Sequence, residues 1–356
     1  MFVTGLEQTN LKYLSFLFFF FFKEDFSLNK NQLLKFFGYK FVRFAILIVV
    51  VAIFSFILID LSPIDPVNAY LKQAAVSESQ RQILEGYFGT NVPLTTKIFH
   101  WLSNLMHLDL GTSLIYRAPV IDVIIDKASA SIVLMAISWL LSGVVGFTLG
   151  VIAGKNKDSW IDKAVKVYCY IIQSAPSFWI GMLILMVFAV YLKLFPIGFG
   201  VPIGVRSSDA TFIEWASRLV LPTLTLSLVG VAPIAMYTRN ELIQVLSSDY
   251  VLFAKSRGEK GWDLVKNHGL RNILLPAITL QFLSFNELFG GAILVEQVFS
   301  YPGIGQTAVA AGLNSDVPLF LGIVIFSAIF VFVGNLLADL SYYLIDPRIK
   351  ESELND

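Results

Sequence analysis

Hydrophobic residues fill 56% of the 356 positions and charged residues only 15%, against roughly 45–50% and 25% in soluble domains. That balance excludes an ordinary soluble protein and places the chain in a membrane. The formal net charge is +0, so there is no basic surplus to suggest nucleic acid, and only the distribution of charge informs.

Residues 1–38 form an extension that is expected to be peripheral. It contains "FLFFFFF" (Phe16 to Phe22) between Lys12 and Lys23. Seven apolar residues cannot cross a bilayer, which takes about 20. The run is an interfacial anchor, a degenerate targeting segment, or translated sequence ahead of the true start; no small-residue cleavage site follows it.

Six spans follow, at roughly 42–61, 129–154, 164–193, 219–238, 273–298 and 318–345, by the length needed to cross hydrocarbon. Helices are expected because lipid cannot satisfy backbone polar groups. The first occupies 39–61, a folded loop fills 62–128, five helices make a core over 129–345, and 346–356 is a tail. Lys30, Lys35, Lys40 and Arg43 precede the first span, and Lys155, Lys157, Lys163 and Lys166 crowd the link after the second. The link at 299–317 has no Lys or Arg, and that at 194–218 has only Arg206 and Arg218. The positive-inside bias therefore puts both termini in the cytoplasm and the 62–128 loop outside.

Charge within the hydrocarbon zone is costly, so each polar residue there is a candidate for function. Gln281, Asn286 and Glu287 fall in the fifth span, Asn335 and Asp339 in the sixth. Gln281, Asn286 and Glu287 are candidates to line a translocation path; the alternative is that Asn286 and Glu287 bridge to a neighbouring helix. Pro176, Pro222, Pro233 and Pro276 interrupt or begin spans. Gly146, Gly150 and Gly154 form a ladder on the second span that serves close helix packing or a gliding surface. "GVIAGKN" is one residue too short for a phosphate loop, and Asn156 stands where Ser or Thr is required. Cys169 is alone, which excludes an internal disulfide, and His100, His107 and His268 lack zinc spacing. No metal site and no catalytic constellation are expected, so the chain is not an enzyme.

One stretch, "DYVLFAKSRGEKGWDLVKNHGLRNILLP" (249–276), interrupts the apolar pattern. Leu242, Val245, Leu246, Tyr250 and Phe253 keep helical spacing on one greasy face. Gly258 and Gly261 then break the helix, Trp262 and Val265 restart a short turn, Gly269 suits its carboxyl-terminal cap, and Pro276 begins the next span. Two helices around a tight turn can dock on a cytosolic partner; a plain connector is the alternative.

The stretch resembles the cytoplasmic EAA loop of ATP-binding-cassette importer permeases, in the form found in the oligopeptide, dipeptide and nickel branch. "AKSRG" (Ala254 to Gly258) and "HGLRN" (His268 to Asn272) carry the likeness. "VEQVFSYPGIGQ" (Val295 to Gln306), "NSDVPLF", "DLGTS" (Asp109 to Ser113), "IDPV" and the closing "DPR" (Asp346 to Arg348) extend it over about 40–350. The motif's usual glutamate falls on Leu252 and its proline on Arg271, and Ile64 replaces the glycine of Pro-Gly-Asp-Pro.

The resemblance implies an all-α permease with six membrane helices, seated in a prokaryotic inner membrane. Its implied partners are a homologous second permease, two cytosolic ATP-binding subunits and an extracytoplasmic solute-binding protein. ATP and Mg would sit on the partner subunits, with no cofactor in this chain. It also implies that the loop over 239–272 is the coupling element, with Ala254, Ser256, Arg257, Gly258, Glu259, Trp262, His268, Leu270 and Arg271 at the ATPase contact. The cargo is a peptide or a nickel or metal-chelate solute. A self-sufficient channel or carrier using Glu287 is the rival, and it leaves the turn at Gly258 without a role.

Overall fold

The computed structural model describes residues 30–60, 67, 77–88, 92–107, 109–201, 209–314 and 316–345. The "FLFFFFF" run, Ile64 to Pro66, Arg206 and the closing "DPR" lie outside them. Among the described residues the elements are helical, with one isolated bridge between Thr112 and Pro119. The chain divides into Met1–Val50 and Val51–Asp356, and all packing discussed below lies within the second unit.

The helices are α1 Lys30–Asp60, α2 Glu78–Phe88, α3 Leu94–Met106, α4 Val120–Lys155, α5 Trp160–Ser174 and α6 Ser177–Ile184, which continues as a π-helical turn over Leu185–Tyr191. There follow α7 Phe212–Leu246, α8 Asp249–Ser256, α9 Trp262–Leu264, a π turn over Val265–Gly269, α10 Leu270–Leu283, α11 Phe285–Val298, α12 Ile304–Leu313 and α13 Val317–Ile345. α4, α7 and α13 are long and apolar enough to cross a membrane, and the pairs α5–α6 and α10–α11 reach that length only as bent spans. With the 31-residue α1 the six expected spans are all helical, in an all-α membrane architecture.

Three expectations need correction. The first, second and fourth spans extend well beyond the apolar runs, to Lys30 within the expected 1–38 extension, to Val120 and to Phe212–Leu246. α7 starts early because Thr211 and Glu214 form a reciprocal capping box. The third span is not one rod: it bends by 107° between Ser174 and Ser177, at Pro176. The other three prolines neither begin nor interrupt their helices. Pro222 and Pro233 lie inside α7 and Pro276 inside α10, where flanking helical turns and packed neighbours offset one missing N–H each.

Helix directions follow from paired contacts. A Cβ on Gly146 would meet Ile234, one on Gly150 would lie 2.6 Å from the Ala235 carbonyl, and one on Gly154 would meet Arg239 and Leu242. Each step up α4 is a step up α7, so the two run parallel and their backbones nearly touch. The ladder is a packing surface. On α13, Gly322 abuts Val120 and Ile124, while Gly334 and Leu337 share a pocket wall with Ala136 and Leu140, so α13 is parallel to α4 as well. The α10–α11 pair is antiparallel to it: Ile273 clusters with Val151, Trp139 Nε1 donates to Gln281 O, and Ser131 Oγ donates to Glu296. α5 is antiparallel to α7, with Asp162 on Arg239 and Tyr168 OH donating to Leu228 O. This alternation is what consecutive membrane crossings require. α7 is the central helix, with 61% of its most apolar window buried against 28% for α4.

Lys155, Lys166, Arg239 and Lys255 thus gather at one end of the bundle, here called the basic end. At the opposite end two buried carboxylates tie distant segments together. Asp316, fully buried, accepts from Ser113 Oγ (2.7 Å), Leu114 N (2.8 Å), Ile115 N (3.0 Å) and Leu319 N (3.2 Å). Glu296 accepts from Ser131 Oγ, Gly305 N (2.7 Å) and Gln306 N (3.3 Å). The "DLGTS" and "NSDVPLF" motifs are therefore two halves of one joint.

Gly150→Leu should destabilise the chain by about 1–3 kcal/mol through overpacking of the α4–α7 seam, whereas Gly290→Ala, with nothing within 4 Å, should leave thermal unfolding in detergent unchanged. Equal effects of the two would remove the seam from the account. Asp316→Ala strands several donors and should cost more than Ser113→Ala, by at least the roughly 1–3 kcal/mol of one unsatisfied buried group; the same unfolding assay ranks them.

Candidate functional site: the turn at the basic end

The expected continuous helix from Leu242 to Phe253 breaks in two. α7 stops at Leu246, Ser247 and Ser248 follow, and α8 starts at Asp249 with Ser248 as its extended N-cap. Lys255 Nζ donates to the freed Leu246 carbonyl at 3.1 Å. The break resets the helical phase. Val251 and Ala254 become the buried positions, packed with Leu264 under Val245 and Leu246. Tyr250 and Phe253, read as part of the buried face, are 48% and 65% exposed.

Beyond α8 the chain turns through Gly258 at φ 99° and Gly261 at φ 60°. Both glycines are needed for this backbone, since a Cβ at either would be conformationally strained although it would meet nothing within 4 Å. The Glu259 amide donates to the Ala254 carbonyl at 3.2 Å and closes the turn. Its carboxylate accepts from Asn267 Nδ2 (3.2 Å) and lies 3.1 Å from His268 Nε2. The Asn267 hydrogen bond, with His268 beside it, holds the Glu259 carboxyl below its ordinary range. Asn272 Nδ2 donates to the Tyr250 hydroxyl at 3.0 Å.

Gly269 is not a cap. Its backbone is right-handed and helical, and the chain passes through the π turn directly into α10. A Cβ there would lie 2.8 Å from Leu242 Cδ1, so the glycine serves close approach. Leu242, Val265 and Ile273 are all fully buried together with Val151. Trp262 is 44% exposed, and Lys155 Nζ stands 4.1 Å from its ring centroid. The turn is therefore fastened to the last residue of α4 as well as to α7.

The nine residues assigned to the ATPase contact divide by position. Ser256, Arg257, Gly258, Trp262 and Arg271 face outward. Ala254 is 4% exposed and supports the turn from inside. Glu259 and His268 brace its two limbs, and Leu270 packs on the Leu242 cluster. Reading by residue type missed Leu252 and Phe253, the large exposed apolar side chains of α8; the Ser247–Ser248–Asp249 capping signal was the clue to their phase.

The candidate path residues separate in the same way. Gln281 is buried and bridges helices: its Nε2 donates to Trp139 O (2.6 Å) and Ser142 Oγ (3.4 Å), and Trp139 Nε1 donates back to its carbonyl. Asn286 Nδ2 donates to Asn335 Oδ1 at 2.6 Å, linking α11 to α13. Glu287 is exposed, on one face with Leu283, Gly290 and Leu294. Next to the turn, Asp162, fully buried, pairs with Arg239 through both carboxylate oxygens and with Lys166 at 3.4 Å. That clamp fixes the start of α5 to α7.

Comparison with known proteins places the chain among transport permeases. The family described as the binding-protein-dependent transport system inner membrane component matches residues 146–351. The oligopeptide transport system permease protein AppB of Bacillus subtilis (strain 168) is 33% identical over 303 residues, covering 84% of this chain and 94% of its own length. "Probable peptide ABC transporter permease protein y4tP" of Sinorhizobium fredii (strain NBRC 101917 / NGR234) is 34% identical over 301 residues, 84% of this chain and 94% of that one. The matched region holds the turn, the glycine ladder and both ends of the bundle, and the chain belongs to the family of binding-protein-dependent transport system inner membrane components.

Proposed function

We propose that this chain is one of two paired permeases of an ATP-driven peptide importer and that the turn over 256–262 is where an ATPase subunit grips it. The relatives above are named for peptides or oligopeptides, which favours that cargo over nickel or a metal chelate. Two cytosolic ATP-binding subunits would carry ATP and Mg, and an extracytoplasmic binding protein would deliver the peptide. The basic end is taken as cytoplasmic, with both chain termini on that side, because Lys155, Lys157, Lys163 and Lys166 gather there while 299–317 has no Lys or Arg.

The observation that carries the reading is the contrast between the turn's tip and its base. Ser256, Arg257 and Gly258 stand open with exposed Leu252 and Phe253 beside them, while Val251, Ala254, Leu264 and Val265 are buried beneath. A tip of this kind can be gripped, and a base of this kind moves as one piece with α4, α7 and α10. Closure of the ATPases on nucleotide would then bias a two-state packing of the spans through differential binding. Glu287 faces the second permease or the aqueous path, since a carboxylate facing lipid is costly.

Gly258→Asp should leave the chain inserted and assembled yet abolish peptide uptake and transport-coupled ATPase activity in membranes holding the whole complex; normal uptake by that variant contradicts the assignment. Trp262→Ala should lower coupled ATPase activity, with Trp262→Phe retaining part of it. A double-mutant cycle with Lys155→Ala, read by thermal unfolding, should show an interaction of about 0.5–1 kcal/mol. Additive effects would detach the turn from α4.

A further inference from the structure

The four lysines at the junction of α4 and α5 are not equivalent. Lys155 covers the Trp262 ring and Lys166 reaches Asp162. The side chains of Lys157 and Lys163 are exposed and make no ion pair or hydrogen bond among the described residues. The nearest carboxylates do not quench them: Asp162 is spent on Arg239 and Lys166, and Asp158 makes no ion pair with either lysine. Between them stands Trp160, 78% exposed. Lys163 shares its helical face with Trp160, Val167, Tyr170 and Ile171, and these last three are 56%, 58% and 60% exposed. With Lys157 just ahead of the helix, this face runs from the indole and Lys163 to apolar surface along the direction in which α5 enters the membrane. An indole prefers the headgroup level, and free lysines beside it attract anionic lipid.

We propose that Lys157, Trp160 and Lys163 at the start of α5 bind the headgroup of an anionic phospholipid, whose acyl chains lie along Val167, Tyr170 and Ile171. An aqueous partner such as an ATPase subunit would satisfy the lysines but not the apolar continuation of the face. The site rests on the membrane-spanning fold alone and stands or falls independently of the coupling role given to the turn.

The test uses the whole importer complex in nanodiscs of phosphatidylcholine containing a minor share of phosphatidylglycerol. Lipid retained after transfer to detergent is measured by mass spectrometry. The wild-type complex should keep phosphatidylglycerol above its share of the mixture. Lys157→Gln/Lys163→Gln should keep it at that share with the ATPase subunits still bound, and Lys157→Arg/Lys163→Arg should restore the enrichment. No enrichment in the wild type, undiminished enrichment in the glutamine variant, or loss of the ATPase subunits with enrichment unchanged would each overturn the proposal.

Discussion

The close parallel contact of α4 with α7 is the constraint from which the rest of the arrangement follows. Gly146 and Gly150 bring the helix backbones closer than a Cβ would permit, and Gly154 leaves room for one only if its neighbours give. Parallel helices end on the same side, so the last turns of both meet at the basic end. Leu242 sits at that junction, against Gly154 and Gly269, within the cluster of Val151, Val265 and Ile273. The turn that follows α7 is therefore built on two spans and leads into a third, α10. A looser seam would leave it hanging from α7 alone.

Around this seam the bundle is pinned by buried carboxylates rather than by apolar packing only. Asp162 clamps α5 to α7 at the basic end, and Glu296 and Asp316 tie α4, α11, α12 and α13 at the other. Each has several donors, which is what makes a buried acid tolerable. Directional joints of this kind hold one geometry or release it, in contrast to greasy contacts that can slide. On the proposed coupling role, such joints would let the bundle switch between two packings in response to a pull at its turn.

Much of this was legible in the residues. Apolar length pointed to helices at the six expected positions, the glycine ladder marked a close contact, and Gly258 and Gly261 marked a turn whose positive φ favours glycine. What escaped was tertiary. Asp316 meets Ser113 across 203 positions and Glu296 meets Ser131 across 165, and local periodicity carries no signal for such pairs. Gly269 was misread because glycine serves both a cap and a close approach, and only the position of Leu242 decides between them. The phase error at Tyr250 and Phe253 had a readable cause, since Ser248 before Asp249 is an N-cap pattern. Gln281 illustrates the limit for polar residues in spans: its type marks it as a path candidate, and its hydrogen bonds to Trp139 and Ser142 tie it to α4 instead.

If the turn is the point of contact with the ATPase, as proposed, site-directed crosslinking reads that contact directly. Cys169 is the chain's only cysteine and is fully buried, so a cysteine introduced at Ser256 can be addressed alone. In membranes holding the whole complex, a thiol-to-amine crosslinker on Ser256→Cys should join this chain to an ATP-binding subunit, with a yield that changes on nucleotide addition. Ser129→Cys, near the start of α4, should give no such product. An absent ATPase crosslink from Ser256→Cys, or an equal one from Ser129→Cys, would contradict the account.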